Sequence, residues 1–224
     1  NERVQGYIQI LDEKSQRLRQ LTADLVEASK ISSGNVKLDM QVIDLVELVY
    51  QTSGEFNEKF EQKELTIVTK LPKTAVLIRA DGRQLYRVIE NLYNNVAKYA
   101  LEKTRVYVDI SYVEEKVVFS IKNVSEHSLA RENSNAGDLT ERFIRGDSSR
   151  TTEGSGLGLS IAKSLTVLMG GVFDIKVDGD LFKASITFPQ YVDENSSNPK
   201  MEEPASEDDY EIEELEPEER TEEE

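Results

Sequence analysis

The 224-residue sequence contains no cysteine and no tryptophan, has a single histidine, and lacks any long apolar run. Without cysteine there can be no disulfide framework and no thiolate metal site. Every apolar run is shorter than the roughly 20 residues that a membrane-spanning helix needs. No basic patch is present, which argues against nucleic-acid binding. The chain opens with Asn1 instead of methionine, so we expect it to be a piece of a longer protein.

Negative charge is concentrated in residues 191–224. This segment holds 16 Asp and Glu residues against Lys200 and Arg220, which supplies −14 of the formal net charge of −16 and leaves −2 for the rest. Ser, Pro and Glu dominate it, so it can bury too little apolar surface to offset the entropy lost on ordering. We expect an acidic disordered tail, and the composition favours a solvated extension over a regulatory or docking role.

Apolar residues recur at heptad spacing in residues 1–33. The series is Val4, Tyr7, Leu11, Leu18, Leu21, Leu25 and Ala28, with a polar interruption at Lys14. The following Ser32-Ser33-Gly34-Asn35 is suited to ending a helix. This region is predicted to be one long helix that needs a partner helix.

Residues 34–190 are predicted to form a globular α/β domain. Apolar periodicity and capping residues predict three helices, from a cap at Asp44 to about Gln62, from Asp81 to Ala100, and from Leu157 to Leu168 with Gly171 closing it. Strands are predicted at 65–69, 75–78, 105–112, 116–122, 172–177 and 182–188, the last two forming a hairpin about Asp178-Gly179. The expected architecture is a two-layer α/β sandwich with one mixed sheet covered by three helices.

Two separated stretches of this domain, residues 91–99 and 153–159, are predicted to form the metal side and the phosphate side of one nucleotide pocket. Asn91 and Asn95 stand four apart in a helical pattern, so both amides project from one face, where an amide oxygen can ligate Mg²⁺. Glycines at 154, 156 and 158 let the backbone close on a ligand before a helix whose N-terminus would face phosphate oxygens. The spacing matches neither a Walker A loop nor a dinucleotide fingerprint. Between the two stretches, the polar and poorly periodic residues 124–152 are predicted to form a mobile lid.

These stretches resemble the sequence boxes of bacterial sensor histidine kinases. Residues 87–99 resemble the N box, residues 141–147 (Glu-Arg-Phe-Ile-Arg-Gly-Asp) the F box, and residues 154–163 the second glycine box. Order and spacing also agree, and the resemblance runs from the N-terminus to about Pro189. It is closest to Gram-positive kinases that carry the segments seen here at 145–150 and 178–183. The resemblance implies the GHKL, or Bergerat, ATP-binding fold shared with type II topoisomerases and heat-shock chaperones.

The resemblance further implies a domain that binds ATP with Mg²⁺ and transfers the γ-phosphoryl group to a histidine. Asn95 would ligate Mg²⁺ with help from Asn91, and Lys98 and Arg145 would pair with phosphate oxygens; these four are the implied catalytic residues. The remaining implied nucleotide contacts are Tyr99 at the base or ribose, Phe143 as the anchor of the lid, and Gly154, Ser155, Gly156, Leu157, Gly158 and Leu159 around the phosphates.

Two departures from the family pattern affect these expectations. The family usually has Asp-x-Gly-x-Gly where residues 121–125 read Ile-Lys-Asn-Val-Ser, so Asn123 would offer an amide oxygen to the adenine amino group in place of a carboxylate. The only histidine, His127, lacks the surroundings of a phospho-acceptor. The resemblance therefore implies an acceptor helix upstream of Asn1, a homodimer through the helix hairpin, a response regulator receiver domain as partner, and a cytoplasmic location with membrane attachment only through upstream segments.

Three alternatives remain open. A GHKL-type ATPase would need a water-activating glutamate at the first N-box position, where this chain has Asn91. A serine-directed anti-sigma kinase would lack the heptad helix. A non-enzymatic interaction module, with an inactive pocket and a working dimerisation helix, would not be stabilised by Mg-ATP.

Overall fold

The structure is a computed structural model and describes residues 2–32, 34, 36–126, 157–192 and 210–215. Its elements in chain order are α1 (Glu2–Ser32), β1 (Gln41–Asp44), α2 (Leu45–Glu61), β2 (Thr66–Pro72), β3 (Leu77–Ala80), α3 (Gly82–Tyr99), β4 (Arg105–Val113), β5 (Lys116–Val124), α4 (Gly158–Leu168), β6 (Val172–Asp178), β7 (Leu181–Pro189) and β8 (Tyr210–Leu215). The α/β class is confirmed. Within these ranges, no helix has the length and apolar character to cross a membrane.

Six strands form one mixed sheet in the order β6-β7-β5-β4-β2-β8. The connection that contains α3 returns the chain to the start of β4, so β2 and β4 run parallel, whereas all other neighbours are antiparallel. β3 does not join this sheet. It pairs with β1 in a separate two-stranded antiparallel sheet, so the prediction of a single sheet is wrong in this respect.

A single apolar core lies between the six-stranded sheet and the helices α2, α3 and α4. Its fully buried members include Val49, Leu92, Ile110, Phe119 and Leu165. Buried and less buried residues alternate along β4 and β5, so one face of each strand packs on this core. The C-terminal half of α1 packs against the same core through Ala28 and Ile31.

Both α2 and α3 begin after an aspartate cap, which confirms the prediction made for Asp44. Asp44 Oδ1 accepts hydrogen bonds from the Val46 and Val76 amides, at 3.0 and 3.1 Å, and so caps α2 while holding the chain before β3. Asp81 caps α3 by accepting from the Gln84 amide at 3.1 Å. Short polar side chains at these positions satisfy amides that have no acceptor within the helix.

The closure of α4 and the turn between β6 and β7 are each displaced by one residue from their predicted positions. Gly170, with φ +83°, takes the left-handed conformation after α4, and Gly171 N–H then donates to Thr166 C=O at 2.9 Å in a Schellman closure. In the β6–β7 hairpin Asp178 pairs with Leu181, so the two-residue turn is Gly179-Asp180 instead of Asp178-Gly179.

The C-terminal segment contains regular structure that the composition did not predict. Tyr210–Leu215 forms β8 and pairs antiparallel with β2. The prediction of a disordered tail over residues 191–224 is therefore wrong for these six residues. The predicted lid also begins too early, because Val124 ends β5 and Ser125 bridges Ala100; residues 127–152 lie outside the described part.

Candidate functional site

The two asparagines of the predicted metal side lie one turn apart on α3, and both are half-buried. Asn91 Nδ2 donates to the Arg87 carbonyl at 2.9 Å, which leaves Oδ1 directed away from the helix backbone. A Cβ atom placed on Gly158 would lie 3.0 Å from Asn91 Oδ1. The first residue of α4 therefore contacts the face of α3 that carries the asparagines.

The N-terminus of α4 is placed beside this face by its apolar flanks. Leu159 is buried and Leu157 packs against the core, so the backbone at Gly158 is held next to α3. Leu157 is the N-cap and makes no side-chain capping hydrogen bond. The first amides of a helix have no intrahelical acceptor and carry the positive end of the helix dipole. This end of α4 can therefore attract an anion such as a phosphate group.

Asn123 presents an unpaired acceptor at the end of β5. The side chain lies on the core-facing side of the strand and is 2% exposed. Its Nδ2 donates to the Val124 carbonyl at 2.9 Å, whereas Oδ1 is buried and has no hydrogen-bond partner among the described residues. Reversing the amide would set two oxygens against each other. Because a buried unpaired acceptor costs about 1–3 kcal/mol, this position is suited to accepting a hydrogen bond from a ligand amino group.

The C-terminal end of α3 is fastened to the same end of β5. Leu101 N–H donates to Val124 C=O at 2.9 Å, and Glu126 N–H donates to Tyr99 C=O at 2.8 Å. Half-buried Tyr99 therefore lies near the strand end that carries Asn123. Eight residues of helix separate Asn91 from Tyr99, or about 12 Å along the axis. Lys98 lies exposed on the last turn of α3.

The remaining predicted site residues, Phe143, Arg145, Gly154, Ser155 and Gly156, lie outside the described part of the chain, as does His127. The structure thus brings together Asn91 with Gly158 at the middle of α3, and Tyr99 with the end of β5 at the C-terminal end of α3. Asn95 lies between these two contacts on the same helix.

Two tyrosines on α3 position this helix against α2, and sequence reasoning missed both. Tyr93 OH and Ser53 Oγ are 2.7 Å apart, and burial raises the pKa of Tyr93 far above its ordinary value. Tyr86 OH donates to Glu55 Oε2 at 2.6 Å; this hydrogen bond raises the pKa of Tyr86 to about 12 and lowers the pKa of Glu55. The sequence signal for these tyrosines was their place in the apolar periodicity of α3. That periodicity does not identify the residue to which each hydroxyl group is hydrogen-bonded.

A family model described as "Histidine kinase-, DNA gyrase B-, and HSP90-like ATPase" matches residues 80–200. Among curated proteins, the chain is 29% identical over 164 residues to the alginate biosynthesis sensor protein KinB of Pseudomonas aeruginosa, covering 73% of this chain and 27% of KinB. It is also 29% identical over 170 residues to the sensor protein VanSC of Enterococcus gallinarum, covering 74% of this chain and 45% of VanSC. The chain therefore spans less than half the length of these relatives.

Solved structures share the fold. Full-length ShkA in complex with AMPPNP matches with a TM-score of 0.70 and 21% identity, over 84% of this chain and 39% of ShkA. The catalytic domain of the histidine kinase ThkA matches with a TM-score of 0.58 and 19% identity, over 68% of this chain and 97% of that domain. Since the family model covers residues 80–200, more than half of the sequence, the chain belongs to the histidine kinase-, DNA gyrase B- and HSP90-like ATPase family.

Proposed function

We propose that this chain is the catalytic part of a two-component sensor histidine kinase, which binds Mg-ATP and transfers the γ-phosphoryl group to a histidine on an upstream helix. The contact between Asn91 and Gly158 carries the proposal, because it joins the amide-bearing helix to the N-terminus of α4 in one site. The unpaired Oδ1 of Asn123 supports the adenine end. It can accept a hydrogen bond from the amino group of adenine.

The chain's residues would bind and orient the nucleotide. Asn95, assisted by Asn91, would hold Mg²⁺, and Lys98 with Arg145 would pair with phosphate oxygens. The described residues contain no cluster of three or more His, Cys, Asp or Glu residues able to hold a metal ion. Mg²⁺ usually retains several waters and is bound through a few protein oxygens plus the phosphates of the nucleotide, and the amide oxygens of Asn91 and Asn95 are candidates for the protein oxygens. The bound Mg²⁺ would neutralise charge on the transferred group.

The wider assignment follows from the same proposal. The homodimer would form through α1 and its missing hairpin partner, and the phosphoryl group would pass to the receiver domain of a response regulator. The chain would be the cytoplasmic part of a membrane-anchored sensor. The alternative is a regulatory module that binds nucleotide but transfers phosphate poorly, which the replacement of the usual aspartate by Asn123 favours. An ATPase is disfavoured, because Asn91 cannot act as a base at neutral pH.

The proposal is tested by titrating the chain with a fluorescent ATP analogue in the presence and absence of Mg²⁺. We expect saturable, Mg²⁺-dependent binding that weakens by about tenfold or more in Asn95→Ala, since a hydrogen bond or metal contact to a charged group is worth about 1.5–3 kcal/mol.

Asn94→Ala is the matched control. It removes the neighbouring amide, which accepts a hydrogen bond from Lys59 Nζ on α2 and so faces away from the proposed site. The Asn94→Ala variant should bind the ATP analogue with the same affinity as the original chain. Binding that is equal in both variants, or absent from the original chain, would contradict the proposed site.

A further inference from the structure

β8 lies on the outer edge of β2, where the composition predicted a solvated tail. The pairing extends from Pro72 opposite Tyr210 to Ile67 opposite Leu215. Three side-chain contacts accompany it: Arg105 Nε lies 3.0 Å from Glu214 Oε1, Lys70 Nζ lies 4.7 Å from the centre of the Tyr210 ring, and Thr69 Oγ1 donates to Glu213 C=O at 3.4 Å.

The two sides of this pairing are complementary in charge. Lys70 lies on β2 and Arg105 lies at the start of β4, the neighbour of β2 on the side away from β8, and three of the six residues of β8 are glutamates. Glu211 and Glu213 lie opposite Leu71 and Thr69. Charges on an outermost strand oppose the addition of another strand, so β8 is suited to being the last strand of the sheet.

Most of the described side chains of β8 are exposed. Ile212 is 61% exposed, and both Glu211 and Glu214 are exposed. Backbone hydrogen bonds to β2 and exposed ionic contacts, which salt weakens, therefore supply much of what holds the strand. Segments with few buried contacts open at a lower free energy than the domain core.

We propose that the edge of β2 is a docking site for an extended acidic segment, and that its occupant is the chain's own tail. The tail binds in cis as a strand that detaches while the rest of the domain stays folded.

The path of the chain favours binding in cis. After β7, Tyr191 N–H donates to Leu77 C=O at 2.8 Å, and Leu77 is only five residues beyond Pro72, where β8 begins its pairing. The 17 residues 193–209 can span up to about 56–61 Å, whereas the five residues from Pro72 to Leu77 can span at most about 18 Å. A tether of this kind gives an effective concentration in the millimolar range, which exceeds that of a second copy at micromolar protein.

Hydrogen exchange tests the docking directly. In the chain truncated after Val192, the β2 amides that point toward β8 should exchange at least tenfold faster than in the full chain, whereas those of β5 and β7 should be unchanged. Adding a synthetic peptide with the sequence of residues 208–217 to the truncated chain should restore protection in β2.

Charge reversal provides the matched control. A Glu214→Arg peptide should protect the truncated chain less than the original peptide, and it should protect an Arg105→Glu variant of that chain better than the original peptide does. Equal exchange of β2 in the full and truncated chains would overturn the proposal. Protection in the full chain that rises with protein concentration would also overturn it, because the occupant would then be the tail of a second copy. Neither readout depends on nucleotide binding.

Discussion

At the scale of single residues, position 171 requires glycine because there is no room there for a Cβ atom. A Cβ atom there would lie 2.6 Å from Phe188 Cε1 and 2.9 Å from Thr166 Cγ2. Phe188 is buried in the core, and Thr166 is buried with its hydroxyl bonded to Ala162 C=O, so neither can move without disturbing the packing. We expect Gly171→Ala to lower the free energy of unfolding by about 1–3 kcal/mol, measured by denaturant titration.

Gly54→Ala is the control for this substitution. Gly54 lies within α2, and a Cβ atom there would have nothing within 4 Å. Alanine should leave stability unchanged or raise it by up to about 1 kcal/mol, because it has the higher helix propensity. If Gly171→Ala proved as stable as Gly54→Ala, the close packing of α4 against β7 would be refuted.

Residue-level prediction succeeded where one local rule decides the outcome. Asp44 was recognised as a cap because a short acidic side chain before an apolar period has few other roles in a local sequence. The adjacent Gly170 and Gly171 could not be told apart in this way. Gly170 is needed for its φ of +83° and Gly171 for its contact with Phe188, and the second requirement exists only in the folded molecule.

At the scale of elements, α1 carries an exposed apolar stripe. Val4, Leu11, Leu18 and Leu25 are spaced by seven residues and are 51%, 68%, 62% and 63% exposed. Such a stripe is stabilised by pairing with another helix. We expect the chain to self-associate through it, and we expect the double substitution Leu11→Glu with Leu18→Glu to weaken that association by tenfold or more in sedimentation equilibrium.

The double substitution Gln9→Glu with Gln16→Glu adds the same charge at the same spacing on a different face of α1. Both glutamines are exposed, so this variant should associate like the original chain. Equal association of the two double variants would show that the stripe is not the contact surface.

Elements with their own apolar period were predicted, and those without one were missed. Helices α2, α3 and α4 each bury a continuous face, which the sequence displays directly. β1 is four residues long and merges into α2, so its pattern is too short to recognise. β8 contains three glutamates, and its structure depends on the open edge of β2 instead of on apolar content of its own.

At the scale of the whole molecule, the proposed reaction needs a histidine that accepts the phosphoryl group. The chain contains one histidine, His127, in a context unlike a phospho-acceptor. Incubation with γ-labelled ATP should therefore leave the chain unlabelled, whereas a protein extended upstream should become labelled on a histidine. Labelling of the present chain at His127 would contradict this assignment, and steady release of phosphate would favour the ATPase alternative.

How much of the candidate site could be predicted depends on how far apart its residues lie in the sequence. The amides of Asn91 and Asn95 share a face by helical geometry alone, so their placement was accessible from spacing. The contact of Asn91 with Gly158 joins positions 67 residues apart; the two stretches were assigned to one pocket because their chemistries are complementary, but no local pattern specifies the contact itself. The unpaired Oδ1 of Asn123 depends on the rotamer and on the Val124 carbonyl, which no pattern encodes.

The pairing of β2 with β8 also affects biosynthesis. Thr69 and Glu213 touch although 144 residues separate them in sequence. At a translation rate of about 5–20 residues per second, roughly 7–29 s pass between the synthesis of these two positions. Throughout that interval the nascent domain presents β2 with unsatisfied main-chain groups, so newly made chains are exposed to intermolecular strand exchange and to capture by chaperones at this strand.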